Sequence, residues 1–397
     1  MKRARQTGNT DILKGWKDIG VYLGCSEKTA YRWWKKRDLP ILTLVSRSEK
    51  APILASKRAL DAWLKGGIEH VLISSSTLTV LDKQERLLWS HEFPHALREY
   101  RPEETEWRLR IVDLEKTGER GVLFAARFLS ASTPDILFYF SAEGKIVWQL
   151  EAEPPLLKRD GRPFERAWTF KHVAVATNGK EQAIWAALGN DAGWAGCVLR
   201  IRANGTASVH LANAGFVEGV CPVTLPEGDF LLVCGENNDF DRAFAALLGA
   251  YDPSATSVSG ERLVYRFANS PTGQPRMYIL FPTTELIRAR KRPYGHALHI
   301  TEHRDGVIIE VETGEGGAHF RYHFAKNLEP RYVFPSGNHE FIHDDLEKSG
   351  AISHPWDECP ELNEPLSLRI WEPSSGWYER PVPWRDNPWK EVLAPKR

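Results

Sequence analysis

Over the first 66 residues the apolar positions recur at helical spacing. Trp16, Ile19 and Leu23 stand at i, i+3 and i+7, one side of a short helix over residues 16–23 that Gly24 ends. Ser26 can accept a hydrogen bond from the free amides of a next helix, and Glu27 sits at that helix's positive end. The second helix runs over residues 27–36 and stops at Leu39-Pro40. Ala30 and Trp33 share its inward face, while Lys28, Arg32 and Lys35, at i, i+4 and i+7, share the outward one with Tyr31 at its edge. Two strand-like runs follow, residues 42–45 and 52–54, joined by the polar turn of residues 47–50, a predicted wing. Ser56 is placed to cap a third helix through Leu64, with Leu60, Trp63 and Leu64 on its apolar face and Gly66-Gly67 as its stop.

From residue 68 the period changes to that of strands. Two kinds of hairpin alternate, the first turning at Glu85, Gly144, Gly205, Gly260 and Leu328, at spacings of 59, 61, 55 and 68 residues. The second kind turns near Gly118, Gly179, Gly228 and Gly306. A period of about 60 residues suits a four-stranded propeller blade with long loops. The hairpin at residues 71–89 lacks partner strands, and residues 366–371 with 376–378 are positioned to supply them and close a ring of five blades. A degenerate sixth blade within residues 266–299 is the alternative. The expected fold is multidomain, α plus all-β: a small winged helix-turn-helix at residues 1–66, then a β-propeller over residues 67–397 closed by C-terminal strands.

Charge sharpens this division. The chain holds 52 basic and 52 acidic residues, but residues 1–67 carry 15 Lys/Arg against 6 Asp/Glu, which leaves 37 against 46 for the rest. A head of +9 on a body of −9 points to a polyanion partner for the head.

The phrases Gly15-Trp16-Lys17-Asp18-Ile19, Leu23-Gly24-Cys25-Ser26, Thr29-Ala30-Tyr31-Arg32-Trp33, Leu39-Pro40 and Leu60-Asp61-Ala62-Trp63-Leu64 resemble excisionase/MerR-like winged helix-turn-helix domains of bacteria. The resemblance covers about one sixth of the chain. It implies double-stranded DNA as partner, contacted by the recognition helix through Lys28, Tyr31, Arg32, Lys35 and Lys36, and by the wing through Arg47 and Lys50. One departure is that no glycine stands between Leu42 and Leu54, where many such wings turn. The body's recurring x-Asp-x-x-Gly-x-x-x-Trp phrase is similar to FG-GAP and quinoprotein-like propellers.

Other chemistry finds less footing. The five cysteines (Cys25, Cys197, Cys221, Cys234, Cys359) contain no C-x-x-C pair, so neither a disulfide framework nor a zinc ribbon is expected. No run approaches the roughly 18 apolar residues of a membrane span, and a cytoplasmic protein is expected. The loop Asp113–Glu119 has a lysine among its carboxylates, so a calcium site is not expected there. His339-Glu340-Phe341-Ile342-His343 spells a zinc-peptidase motif on a helix capped by Asn338. Asp344 and Asp345 follow it, however, and His354, eleven residues on, is a poor third ligand. The expectation is a packing helix with Phe341, Ile342 and Leu346 against the body, no metal, no cofactor and no catalytic set.

The reading is therefore a sequence-specific DNA-binding regulator and not an enzyme, with the body serving as ligand sensor or protein platform. A propeller-based enzyme or an interaction scaffold with an accessory helix-turn-helix is the alternative. No heptad helix follows Gly66, so a homodimer would have to use the body.

Overall fold

The computed structural model describes residues 11–385 except 38, 40, 44–52, 58, 61–66, 84, 101, 131–132, 159–160, 166, 179–180, 239–244, 256, 260–274, 290–294, 313–316 and 337. Two compact units divide the chain: Met1–Ser130 with Leu137–Gln149, and Ala131–Ile136 with Leu150–Arg397. Among the described residues no helix is long and apolar enough to cross a membrane.

The first unit opens with strand β1 (Ile12–Lys14), helices α1 (Gly15–Tyr22) and α2 (Glu27–Arg37), and strands β2 (Leu42–Thr43) and β3 (Ile53–Ser56). The three strands form one antiparallel sheet in the order β1-β3-β2. Ile19, Ala30, Leu39, Ala55 and Leu60 are its buried centre, with Trp16, Leu23 and Trp33 packed on them. Gly20 lets the two helices meet. A three-stranded sheet follows, β4 (His70–Ser74), β5 (Thr77–Leu81) and β6 (Leu87–Glu92) in that order. Helix α3 (Pro102–Arg108) leads into a four-stranded sheet of β7 (Leu109–Val112), β8 (Gly121–Ala126), β9 (Ile136–Phe140) and β10 (Ile146–Glu151), ordered β10-β9-β8-β7. Every residue of β8 is buried, as a continuous apolar run requires of a strand covered on both faces. Phe93, Phe124, Phe138 and Phe140 pack ring on ring in this unit's core.

The second unit holds three sheets. β11 (Thr169–Asn178), β12 (Glu181–Asn190), β13 (Ala195–Arg202) and β14 (Ala207–Asn213) form an antiparallel meander, to which β18 (Ser257–Ser259) adds in parallel beside β14. β15 (Val217–Leu225), β16 (Gly228–Asn237), β17 (Ala245–Tyr251) and β19 (Met277–Leu280) continue into β24 (Leu366–Glu372) and β25 (Gly376–Val382), a six-stranded sheet. β20 (His296–His303), β21 (Gly306–Glu312), β22 (His319–Ala325) and β23 (Pro330–Pro335) form the third. Leu232, Leu248, Ile309, Phe320, Phe324 and Leu368 belong to one apolar core between the last two sheets. Short helices α4 (Glu285–Ala289), α5 (His339–Lys348) and α6 (Pro360–Asn363), with a 3-10 turn at Trp356–Glu358, interrupt the strands.

This architecture corrects the expected fold. The protein is predominantly β, built of six separate sheets among the described residues, and none of them closes or has the form of a propeller. Among the described residues the C-terminal hairpin is part of the six-stranded sheet of the second unit, not of the sheet that holds the opening hairpin. Tyr278, Ile279 and Leu280 of β19 pair instead with Trp371, Ile370 and Arg369 of β24, which leaves β4–β6 as a sheet of three. The physical reason is a pair of complementary edges. β19 buries Tyr278, Ile279 and Leu280, and β24 buries Leu366, Leu368 and Ile370 on alternate positions, so their pairing covers both. The winged helix-turn-helix expectation is corrected too: no clear N-terminal helical domain stands apart, and α1 and α2 lie among strands that include the unforeseen β1. The turn of the expected wing and residues 61–64 of the expected third helix lie outside the described residues.

Candidate nucleic-acid interface and a cluster of donor side chains

α2 is set by its first turn. The Thr29 amide donates to the Ser26 hydroxyl at 3.2 Å, and the Ala30 amide to the Ser26 carbonyl at 3.0 Å, so Ser26 serves as the N-terminal cap. Ala30 is fully buried and Trp33 half-buried, which turns Lys28, Arg32 and Lys35 outward, all three exposed. Among the described residues no carboxylate forms an ion pair with Lys28 or Arg32. Tyr31 is 46% exposed at the edge of this face. Its ring meets Trp16 edge-on at 5.4 Å and Trp34 at 5.6 Å, and Trp16 and Trp34 lie 5.5 Å apart. The three rings brace α2 on α1. Lys35 Nζ rests 4.1 Å from the centre of the Trp34 ring, a cation–π contact that keeps the ammonium at the surface. Lys36 belongs to α2, but its side chain, like the whole of Arg47 and Lys50, lies outside the described residues.

A second group of chemically capable side chains was not assembled by sequence reasoning. Glu285, His343, His354 and Cys359 bring a carboxylate oxygen, two imidazole nitrogens and a sulfur within 4.8 Å of one another. His354 Nε2 lies 3.1 Å from Glu285 Oε2, and Cys359 Sγ lies 3.7 Å from the same oxygen. The imidazoles of His343 and His354 are 5.3 Å apart, centre to centre. His343 and Cys359 are buried; Glu285 and His354 are partly so. Both ring nitrogens of His343 are buried without a hydrogen-bond partner among the described residues. Burial, and then the neighbouring His354, holds His343 below its ordinary pKa, and burial pushes the Cys359 thiol up to about 11. Glu361 accepts the Glu285 amide and faces Arg288, and burial raises its carboxyl to about 7.

The peptidase-like motif divides in this setting. His339 packs against the Phe320 ring at 4.2 Å and Trp356 at 5.1 Å, outside the donor group, and burial lowers its pKa to about 3. Glu340 is exposed. Ile342 is buried with Leu286, Ala318 and Ile352, and Leu346 packs against them. Two details of the expected helix are corrected: Phe341 is 66% exposed, and Asn338 makes no side-chain cap bond. A more open trio, His303, Asp305 and His323, also clusters, with His303 Nδ1 at 2.6 Å from Asp305 Oδ1. The only sequence signal for the larger group was His343 and His354 themselves. Glu285 and Cys359 stand 58 and 16 residues from His343 along the chain and share no local motif with it.

No family model matches the chain, and no curated protein does. Neither resemblance drawn from the sequence is supported by these comparisons. Among solved structures, a protein of unknown function from Bacteroides caccae is similar at a TM-score of 0.32 and 13% identity, over 69% of this chain and 80% of that one. At that level the likeness assigns neither fold nor function.

Proposed function

We propose that the chain is a sequence-specific DNA-binding protein acting in transcriptional regulation, and that it engages duplex DNA through the outward face of α2. The observation that carries this reading is the exposed stripe of Lys28, Arg32 and Lys35 on a helix whose opposite face is buried. A rigid helix about as wide as the major groove can bring three cations to phosphates and base edges together. The head's +9 charge favours the same partner, and the −9 of the remainder discourages a polyanion from binding elsewhere. The remainder then carries ligand or protein contacts.

The test is a binding titration of the full-length protein on labelled duplexes, after genome-wide immunoprecipitation has named candidate sites. The wild type is expected to bind a named site more tightly than scrambled duplex. A Lys28→Ala/Arg32→Ala/Lys35→Ala variant with an unchanged circular dichroism spectrum is expected to lose that binding. A folded triple variant that binds as well as the wild type would remove the proposal.

A further inference from the structure

We propose that Glu285, His343, His354 and Cys359 form a binding site for one divalent transition-metal ion, and that zinc is the ion their chemistry selects. Four donors around a tetrahedral zinc, at about 2.0–2.3 Å each, stand roughly 3.3–3.7 Å from one another. The Glu285–His354 and Glu285–Cys359 separations of 3.1 and 3.7 Å already lie close to that range. All four donor atoms fall within 4.8 Å of one another, so rotamer adjustment alone can bring the wider pairs together.

An ordinary ion pair explains only part of the group. His354 Nε2 stands 3.1 Å from Glu285 Oε2 without hydrogen-bond geometry, and both ring nitrogens of His343 are buried with no hydrogen-bond partner among the described residues. Buried polar atoms without a hydrogen-bond partner are uncommon, and a bound ion is one of the partners that satisfies them. A metal ion takes one of these nitrogens and converts the Cys359 thiol to a thiolate, releasing one proton to solvent. The donor set decides the metal class. Magnesium and calcium require oxygen ligands throughout, whereas one sulfur, two nitrogens and one oxygen suit zinc.

Four protein ligands leave no open position for water, so the site is structural and not hydrolytic. The peptidase alternative needs His339 and Glu340, and His339 faces Phe320 while Glu340 faces solvent. The gain lies in what the ion ties together. Glu285 begins α4, His343 lies in α5, His354 follows it in the chain, and Cys359 joins the 3-10 turn to α6. The apolar centre these segments share is small, with Leu286, Ala318, Ile342 and Ile352 as its buried members. Arg288 and Glu361 hold the first turn of α4 in place behind the Glu285 carboxylate.

The experiment strips the full-length protein with a chelator and titrates it with cobalt(II) alone, then displaces the cobalt with zinc. One equivalent should bind with the intense visible bands of tetrahedral cobalt and a thiolate charge-transfer band in the near ultraviolet. Cys359→Ser should lose the charge-transfer band, and His354→Ala should weaken zinc by more than about tenfold. Alkylation of the wild type, read by mass spectrometry, needs no variant to fold: added zinc should slow modification of Cys359 relative to the other four cysteines. Three results would overturn the site. These are weak octahedral cobalt spectra, zinc retained by Cys359→Ser but lost in His339→Ala, and zinc lost in His303→Ala while Cys359 remains unprotected.

Discussion

Gly20 of α1 lies so close to the Cys25 backbone that a Cβ placed on it would stand 2.9 Å from the Cys25 carbonyl oxygen and 3.3 Å from the Glu27 amide nitrogen. Both neighbours are backbone atoms and cannot turn away, so Gly20→Ala must push α1 and α2 apart. The expected cost is about 1–3 kcal/mol of stability, the range for overpacking. If α2 is the DNA-contacting element, affinity should fall while the slope of log affinity against log salt stays put, because no cation is removed. Chemical denaturation together with a salt titration on duplex DNA checks both parts. A variant as stable as the wild type would show that the close approach is dispensable.

Removing a cation should act differently. Arg32, on the middle turn of α2, has the planar fork that pairs with guanine, and Arg32→Ala is expected to cost about 1–3 kcal/mol at a specific site and relax its base preference. Lys28→Ala and Lys35→Ala should weaken binding on all sequences and lower the salt slope by about one unit each. Lys35 also lies over Trp34, a contact that leaves its charge in place. Equal slopes for wild type and both lysine variants would place the phosphate contacts on another surface.

The C-terminal hairpin carries a stability prediction of its own. Leu368 is fully buried in the core between the two sheets, while Ser367, its neighbour on β24, is exposed. Leu368→Ala should cost about 2–5 kcal/mol, and Ser367→Ala should stay within about 0.5 kcal/mol. Urea unfolding at matched protein concentration reads the difference. Similar midpoints for both variants would mean that β24 contributes little to the sheet it joins.

Local structure was legible in the sequence where a short window held the whole signal. Positive φ at Glu85, Gly144, Gly205 and Leu328 marks four of the hairpin turns that punctuation by turn residues located, and Gly144 is further fixed by the Trp89 ring, which a Cβ there would touch at 2.6 Å. Helix α2, its Ser26 cap and its outward cations were legible for the same reason. What joined the hairpins was not. The pairing of Tyr278 with Trp371 spans 93 residues, and a repeat of similar hairpins is equally compatible with a ring and with separate sheets. The donor cluster failed to show for a related reason: a motif search rewards His339 and His343 on one helix, whereas the structure groups His343 with Glu285 and Cys359 from other segments.

Buried histidines should shape the stability of the second unit with pH. His210, 3% exposed and packed edge-on against Trp185 at 4.7 Å, is held at about 4, by burial first and then by the charge of Arg200. In the unfolded chain it titrates near its ordinary value of about 6.5. Between those values the unfolded state takes up a proton that the native state refuses, so the stability from His210 is complete above about pH 6.5 and lost as pH falls toward 4, by at most about 3 kcal/mol. His296 behaves in the opposite sense. Burial alone would lower its pKa, but the hydrogen bond and charge of Glu236, 2.9 Å away, with Glu218 and Glu312 adding to them, raise it on balance. Its contribution is therefore complete below about pH 6.5 and is lost as pH rises through the raised native value. Denaturation midpoints measured from about pH 4.5 to 8 should fall on both sides. His210→Gln should flatten the acid side in part, since His339 and His319 are lowered by burial as well, and Glu236→Gln should flatten the alkaline side. An acid side unchanged in His210→Gln would mean that this imidazole takes up its proton without disturbing the fold, and an unchanged alkaline side in Glu236→Gln would mean the same of the His296 pair.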